Sequence, residues 1–240
     1  VYSYKTDQFV TKFHDVQPDA LILLGRVQNP KRYGIASIDD EMRILRVVEK
    51  PDYAMGNLAL AGAYIFSAKV HDAIKQIAPS NRGELEITDA IQRMIEMGLD
   101  VRGHLPEDLW WCDTGSKEGL LKANEFVLNL IRPIDKSLMD THNVISGNVE
   151  ISAGCDINRS RIIGPVSLEH GCSISDSVIG PFVSVGSESK ISDTNISRSL
   201  IMNNVDLQMY GHITESVIGR RTKIRKNNNS RLSSALSLFL

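Results

Sequence analysis

Three absences narrow the class of protein to which this sequence belongs. Its 240 residues include three cysteines, too few and too scattered for a disulfide framework, so a reducing cytoplasm is the expected compartment. No apolar run approaches the ~18 residues that a transmembrane helix needs. Neither charge dominates, because 27 basic and 29 acidic residues give a formal net charge of −2. The composition therefore gives no indication of binding to nucleic acid or to a membrane.

What the sequence does contain is the composition of a globular protein and, up to about residue 135, an α/β pattern. Short apolar runs alternate there with segments of helical periodicity. Strands are predicted at 20–27 and 58–67, a hairpin over 33–50, and helices over 68–77, 86–98 and 116–131. Ser67 is expected to cap the first of these helices, and the last is expected to be capped where it begins, at Ser116. The nearly continuous apolar run at 20–27 is typical of a strand that is buried on both faces.

From about residue 143 the helical periodicity gives way to a repeat of roughly 17 residues. Paired aliphatic residues six apart mark it, at Ile151 and Ile157, Leu168 and Ile174, Val185 and Ile191, and Leu207 and Ile213. A second series of expected interior residues is Ile163, Ile179, Ile201 and Ile218. Its longer step from Ile179 to Ile201 suggests an insertion in one coil. The period favours a parallel β-helix over an ordinary all-β domain with short strands.

A carboxylate and an ammonium stand side by side where the predicted hairpin ends, at Glu49-Lys50-Pro51. The open end of a parallel sheet is where ligands bind in α/β proteins. A lysine there can hold a phosphate, a glutamate can accept hydrogen bonds from sugar hydroxyls, and the proline fixes the exit of the chain. The pair alone also fits a solvent-exposed strand end, so its neighbours in the sequence decide between a binding site and a surface.

Four motifs, in the order VEKP, A-x-x-G-x-Y, RGELEITD and W-x-DTG, resemble those of the sugar nucleotidyltransferase family. The resemblance covers about residues 10–227. It is closest to the long glucose-1-phosphate thymidylyltransferases, which end in a left-handed β-helix. It implies part of a Rossmann-like nucleotidyltransferase domain over 1–135, a left-handed parallel β-helix of hexapeptide-type repeats over 136–227, and an unassigned tail over 228–240.

The family joins a sugar 1-phosphate to a nucleoside triphosphate, with Mg²⁺, and releases pyrophosphate. The resemblance implies that Lys50 and Arg82 hold the phosphate of the sugar as catalytic residues, and that Asp113 binds Mg²⁺. The implied substrate-binding residues are Tyr33, Gly34, Glu49, Lys50, Leu60 and Gly62. The same residue types also occur in purely structural roles: Asp113 can be a turn residue, and Arg82 can pair with Glu84 or Glu86 where a helix begins.

The family's glycine-rich loop for the triphosphate and its second metal-binding aspartate have no counterpart in these 240 residues. We therefore expect that the chain is a fragment, that the nucleotide-binding portion precedes it, and that the chain alone is poorly active. The product implied most directly is dTDP-glucose. The choice between dTTP and UTP, and the identity of the sugar, stay open at this stage.

Two other functions are consistent with parts of the sequence. A β-helix acyltransferase would need a histidine base, and His170 and His212 lie at repeat corners, where we expect no supporting acid. A non-catalytic relative would bind a sugar phosphate or assemble a complex without turnover. In all three cases the flat faces of a β-helix favour a homo-oligomer.

Overall fold

The computed structural model describes residues 3, 5–132 and 142–225 of the chain. Internal contacts divide the chain into two units, Val1–Trp111 and Cys112–Leu240, and each has a hydrophobic core. The predicted boundary near residue 135 and the tail predicted at 228–240 lie outside the described residues, and both stay predictions. Within the described ranges, no helix is long and apolar enough to cross a membrane.

The described part of the first unit is a five-stranded sheet with α-helices beside it. Its α-helices are α1 (Thr6–Val16), α2 (Val70–Ile74) and α3 (Ile87–Glu96), and a 3-10 helix covers Pro30–Arg32. Its strands are β1 (Ala20–Arg26), β2 (Gly34–Ile38), β3 (Ile44–Glu49), β4 (Leu58–Phe66) and β5 (Val101–His104), in the spatial order β3-β2-β4-β1-β5. The predicted hairpin, strands and α3 are confirmed, while α2 is shorter than the predicted helix over 68–77.

The pairing of the strands corrects one expectation from the sequence. β1 runs parallel to β5 but antiparallel to β4, and β2 is antiparallel to both β3 and β4. The sheet is therefore mixed, and β3 does not end at the open edge of a parallel sheet. β1 is nevertheless buried on both faces, because Leu21 and Leu23 join one hydrophobic cluster while Ile22 and Leu24 join another.

Ser67 does not cap α2, contrary to the prediction. The N-cap position belongs to Lys69, and the Ser67 hydroxyl instead donates to Oδ1 of Asp19, 3.3 Å away. Asp19 also lies 2.9 Å from Nζ of Lys69 and accepts a hydrogen bond from the backbone N–H of Asp100 at 3.1 Å. The Ser67 hydroxyl binds this carboxylate, just before β1, and does not cap the helix, because an ionised acceptor forms the stronger hydrogen bond.

The first helix of the second unit is α4 (Lys117–Leu128), whose predicted N-cap is confirmed: Oγ of Ser116 accepts from the N–H of Gly119 at 3.1 Å. A parallel β-solenoid of about five turns follows, as predicted, and it fits the left-handed β-helix implied by the resemblance. Its strands are β6 (Val144–Ser146), β7 (Val149–Ile151), β8 (Asp156–Asn158), β9 (Arg161–Ile163), β10 (Val166–Leu168), β11 (Ser173–Ser175), β12 (Val178–Ile179), β13 (Val183–Val185), β14 (Lys190–Ser197), β15 (Ser199–Ile201), β16 (Asp206–Thr214), β17 (Val217–Ile218) and β18 (Lys223–Arg225).

Behind each face of the solenoid, aliphatic side chains form a stack of five. Each stack takes one residue from each successive coil, and strand pairing holds neighbours in register. The first stack is Ile145, Ile162, Ile179, Ile196 and Ile213. The second is Ile151, Leu168, Val185, Ile201 and Ile218. The third is Ile157, Ile174, Ile191, Leu207 and Ile224.

The stacks correct the phase of the predicted repeat at two points. Ile163 is only half-buried, and its neighbour Ile162 is the fully buried residue. Ile179 stacks on Ile196, seventeen residues further on, and Ile201 belongs to a different face. The inferred insertion is therefore wrong, because the long step joined residues from two faces.

The last predicted pair is out of phase for the same reason. Leu207 stacks on Ile191, whereas Ile213 stacks on Ile196. The two residues do lie on different faces of one coil, but Leu207 belongs to the third stack and Ile213 to the first. Identical residue types on all three faces hide this shift in the sequence.

Buried hydroxyl groups connect the coils at one corner of the solenoid. Oγ of Ser160 accepts from the N–H of Ser177 at 3.1 Å, and Oγ of Ser177 accepts from the N–H of Thr194 at 3.2 Å. Oδ1 of Asn143 accepts from the N–H of Ser160 at 3.0 Å and so starts the series. These side chains satisfy buried backbone donors where the strands are interrupted.

Candidate functional site

Glu49 and Lys50 lie where β3 ends, directly beside the start of β2. Glu49 is opposite Gly34 in the register of the two strands, and the backbone N–H of Lys50 donates to the carbonyl oxygen of Tyr33 at 3.0 Å. Lys50 has a φ of +44°, which is rare for a residue with a side chain. The hairpin thus fixes both residues of the pair at the end of an edge strand.

Gly34 is a point of close approach between three elements. A Cβ at this position would lie 2.5 Å from Cγ2 of Thr88, on α3, and 3.0 Å from Oε2 of Glu49. It would also lie 3.8 Å from Cδ2 of Leu60, on β4. Because no larger residue fits without displacing Thr88, the glycine brings these side chains together. The structure therefore brings Gly34, Glu49 and Leu60 together in one place.

Two cations converge on the carboxylate of Glu49. Nζ of Lys50 lies 3.9 Å and Nη2 of Arg82 lies 3.7 Å from the same oxygen, Oε1. The two nitrogens can thus be no further apart than the sum of those distances. The two cationic side chains thus meet at one carboxylate oxygen, and both are partly exposed.

Arg82 is also held by two further carboxylates, so it forms the helix-entry ion pairs anticipated from the sequence as well as approaching Lys50. Its Nη2 lies 2.7 Å from Oε1 of Glu86 and 3.0 Å from Oε2 of Glu84. The hydrogen bond to Glu86 is the main reason why the pKa of Arg82 is raised. Bonds from Arg82 and Ser80 in turn lower the pKa of Glu86.

Two further residues, Thr88 beside Gly34 and Tyr64 near Glu49, were not predicted as site residues. The Thr88 side chain is buried, and its hydroxyl has no hydrogen-bond partner among the described residues. Burial, and to a lesser extent the charge of Glu49, raises the pKa of Tyr64. Thr88 looks like an ordinary first-turn helix residue in the sequence, and only its position beside Gly34 distinguishes it.

Tyr33 and Gly62 are placed less tightly. The ring of Tyr33 meets the ring of Trp111 edge-on, with centroids 5.1 Å apart, which supports packing as the role of the tryptophan. Gly62 has a φ of +81°, and a Cβ there would meet no described atom within 4 Å. Its surroundings thus leave room for a ligand, while its backbone conformation favours glycine.

Asp113 lies in the second unit, shortly before α4. Its carboxylate is exposed, and Oδ1 accepts from the N–H of Gly115 at 3.0 Å, which is the geometry of a turn residue. Among the described residues there is no group of three or more His, Cys, Asp and Glu residues that could hold a metal ion. Mg²⁺ often binds through one carboxylate together with phosphate oxygens, and one exposed aspartate fits that pattern.

The solenoid corner at His170 differs from the prediction. Nε2 of His170 lies 3.7 Å from Oε1 of Glu188, on the next coil, so this histidine does have an acid beside it. Both side chains are largely exposed. The pair resembles a weak surface contact between coils more than a buried catalytic pair.

Comparison with known proteins gives a consistent result. The family model described as Nucleotidyl transferase matches residues 1–129. The chain is 37% identical to a glucose-1-phosphate thymidylyltransferase of Streptomyces antibioticus, over 92% of this chain and 62% of that protein. It is 39% identical to the low-salt glycan biosynthesis nucleotidyltransferase Agl11 of Haloferax volcanii, over 90% of this chain and 60% of that one.

A third relative, the bifunctional protein GlmU of Methanococcus aeolicus, is 30% identical over 86% of this chain and 51% of its own length. The chain thus spans 51–62% of the length of these three relatives. More than half of its residues lie within the matched family model. The chain belongs to the nucleotidyl transferase family.

Proposed function

We propose that the protein containing this chain is a sugar-phosphate nucleotidyltransferase that forms dTDP-glucose and pyrophosphate from glucose 1-phosphate and dTTP. The observation that carries the proposal is the convergence of Lys50 and Arg82 on Glu49, beside the close approach at Gly34. The name of one relative, the glucose-1-phosphate thymidylyltransferase of Streptomyces antibioticus, favours thymidine over uridine and glucose over other sugars.

In this proposal the side chains of the first unit bind and orient the sugar 1-phosphate. Lys50 and Arg82 hold its phosphate, which lowers the cost of bringing it to a second, negatively charged phosphate. Glu49 accepts hydrogen bonds from sugar hydroxyls, and the hydroxyl of Thr88 gains the partner that it lacks among the described residues. Tyr33, Leu60 and Gly62 form the walls around the sugar.

Asp113 is the residue of this chain that would hold Mg²⁺, whose chemistry is to offset negative charge on phosphate oxygens. A nucleoside triphosphate and a sugar 1-phosphate are the proposed partners of the site. A cytoplasmic location and a homo-oligomeric state remain predictions from the sequence.

The test is pyrophosphate release by the protein that contains this chain, with glucose 1-phosphate and dTTP as substrates. Lys50→Ala is expected to raise the KM for glucose 1-phosphate at least tenfold, because a charge-assisted bond to phosphate is lost, with the KM for dTTP nearly unchanged. Lys75→Ala, which removes an exposed lysine paired with Asp72, is the matched control.

Two results would contradict the proposal. Equal effects of Lys50→Ala on both substrates would remove the assigned role of the lysine. Binding of glucose 1-phosphate without any turnover would instead favour a non-catalytic relative that recognises sugar phosphates.

A further inference from the structure

The loop before α3 is built around the carboxylate of Glu86, which no part of the proposed reaction uses directly. Three hydrogen bonds converge on one oxygen, Oε1, from Oγ of Ser80 at 2.8 Å and from Nε and Nη2 of Arg82 at 3.1 and 2.7 Å. The Glu86 side chain is 10% exposed. A buried carboxylate that accepts three bonds from one loop has a defined position and defines its partners in turn.

Ser80 connects this carboxylate to the backbone of the same loop. Its hydroxyl accepts from the backbone N–H of Arg82 at 3.2 Å while it donates to Glu86. The loop is closed by backbone bonds from Gly83 to Ser80 and from Ser80 to Glu84, both 2.8 Å long. The backbone and the guanidinium of Arg82 are thus fixed by one small network.

The network directs the guanidinium toward Lys50. Among the described residues the bonds of Arg82 use Nε and Nη2, so its Nη1 side remains available to a ligand. Nη2 lies 3.7 Å from the same oxygen of Glu49 that Lys50 approaches. An arginine that binds phosphate through two N–H groups loses less entropy when its plane is already oriented.

We propose that Glu86, supported by Ser80, is a positioning residue that orients Arg82 to bind the phosphate of the sugar 1-phosphate together with Lys50. The inference rests on the proposed function and adds to it a residue that acts through Arg82 without touching the substrate. Glu84 provides a contrast, because it contacts the same nitrogen of Arg82 but is 65% exposed and comes from the solvent side. Its ion pair is easily exchanged for a phosphate.

The experiment is isothermal titration of glucose 1-phosphate into the 240-residue chain and its variants. Glu86→Gln keeps the size of the side chain, and we expect it to weaken binding about tenfold because the arginine loses its charged anchor. Glu84→Gln, the matched control, should leave the affinity unchanged or improve it. Ser80→Ala, which alters no charge, should weaken binding in the same direction but less.

A double variant separates positioning from a merely structural role. If Glu86 acts through Arg82, then Glu86→Gln should have no further effect on affinity in an Arg82→Ala background. An equal loss in both backgrounds, or an equal effect of Glu84→Gln, would overturn the inference. Thermal unfolding of each variant shows whether the first unit stays folded, and Ser80→Ala provides the answer if Glu86→Gln does not fold.

The outcomes also separate this inference from the function on which it rests. Absence of binding by the wild-type chain would overturn both. Binding that Lys50→Ala weakens and Glu86→Gln does not would overturn the inference alone.

Discussion

At the scale of single residues, the buried hydroxyl of Thr88 gives the sharpest prediction for the proposed site. Thr88→Val keeps the shape and removes the hydroxyl, so we expect glucose 1-phosphate to bind about 1 kcal/mol more weakly. The free energy of unfolding should stay the same or rise, because the hydroxyl has no partner among the described residues. Titration calorimetry and urea unfolding measure the two quantities.

Thr11→Val, at an exposed position on α1, is the control and should change neither. A Thr88→Val variant that loses stability but not affinity would show that the hydroxyl supports the fold, and the assignment to the ligand would be wrong.

Asp19 gives a second prediction at this scale, on pH dependence. The hydrogen bond to Lys69 is the largest cause of its lowered pKa. A carboxylate whose pKa is lower in the folded state stabilises the fold above its unfolded pKa of about 3.8, and this contribution disappears as the pH falls through the folded value.

We therefore expect Asp19→Asn to lower the free energy of unfolding at pH 7 by about 1–3 kcal/mol, since three donors lose a charged acceptor. The difference from the wild type should shrink at pH 3. Urea unfolding at the two pH values checks this, and a difference that is as large at pH 3 as at pH 7 would exclude the ion pair as its source.

At the scale of elements, the corner hydroxyls should hold the coils of the solenoid together. Ser177→Ala removes the acceptor for the buried N–H of Thr194, and an unsatisfied buried donor costs about 1–3 kcal/mol. Chemical unfolding monitored by circular dichroism should show this loss. Ser152→Ala, at an exposed position, is the control. Equal stability of the two variants would mean that water replaces the Ser177 hydroxyl.

How far the sequence predicts these elements depends on how much of their information is local. The strand at 20–27 and the cap at Ser116 follow from apolar runs and local hydrogen bonds, and both are confirmed. Ser67 follows the same local rule, but its hydroxyl binds Asp19, which is far away in the sequence and directly precedes β1. The antiparallel partner of β1 likewise depends on tertiary pairing that no local pattern specifies.

In the site and in the solenoid, too, some features follow from local sequence and others from contacts between distant elements. The VEKP and RGELEITD motifs indicate Lys50 and Arg82, and the fold places both near Glu49. Thr88 could not be predicted, because its importance comes from its contact with Gly34 across elements. The 17-residue period predicts the solenoid, but isoleucine on every face conceals which residues share a stack, so the phase fails at Ile163 and Ile201.

At the scale of the whole molecule, the chain divides its tasks between two units. The first carries the cations and the close approach that we propose as the binding site of a sugar phosphate. The second is a stacked solenoid preceded by Asp113 and α4. The central claim is that recognition of the sugar 1-phosphate belongs to the first unit.

Backbone hydrogen–deuterium exchange of the 240-residue chain, with and without glucose 1-phosphate, tests this claim most directly. We predict slower exchange at the end of β3, at Lys50, and across 80–92, because ligand binding suppresses local opening around the residues that it contacts. Amides of the solenoid over 144–225 should exchange at unchanged rates. Slower exchange confined to the solenoid, or no change anywhere at saturating ligand, would contradict the account.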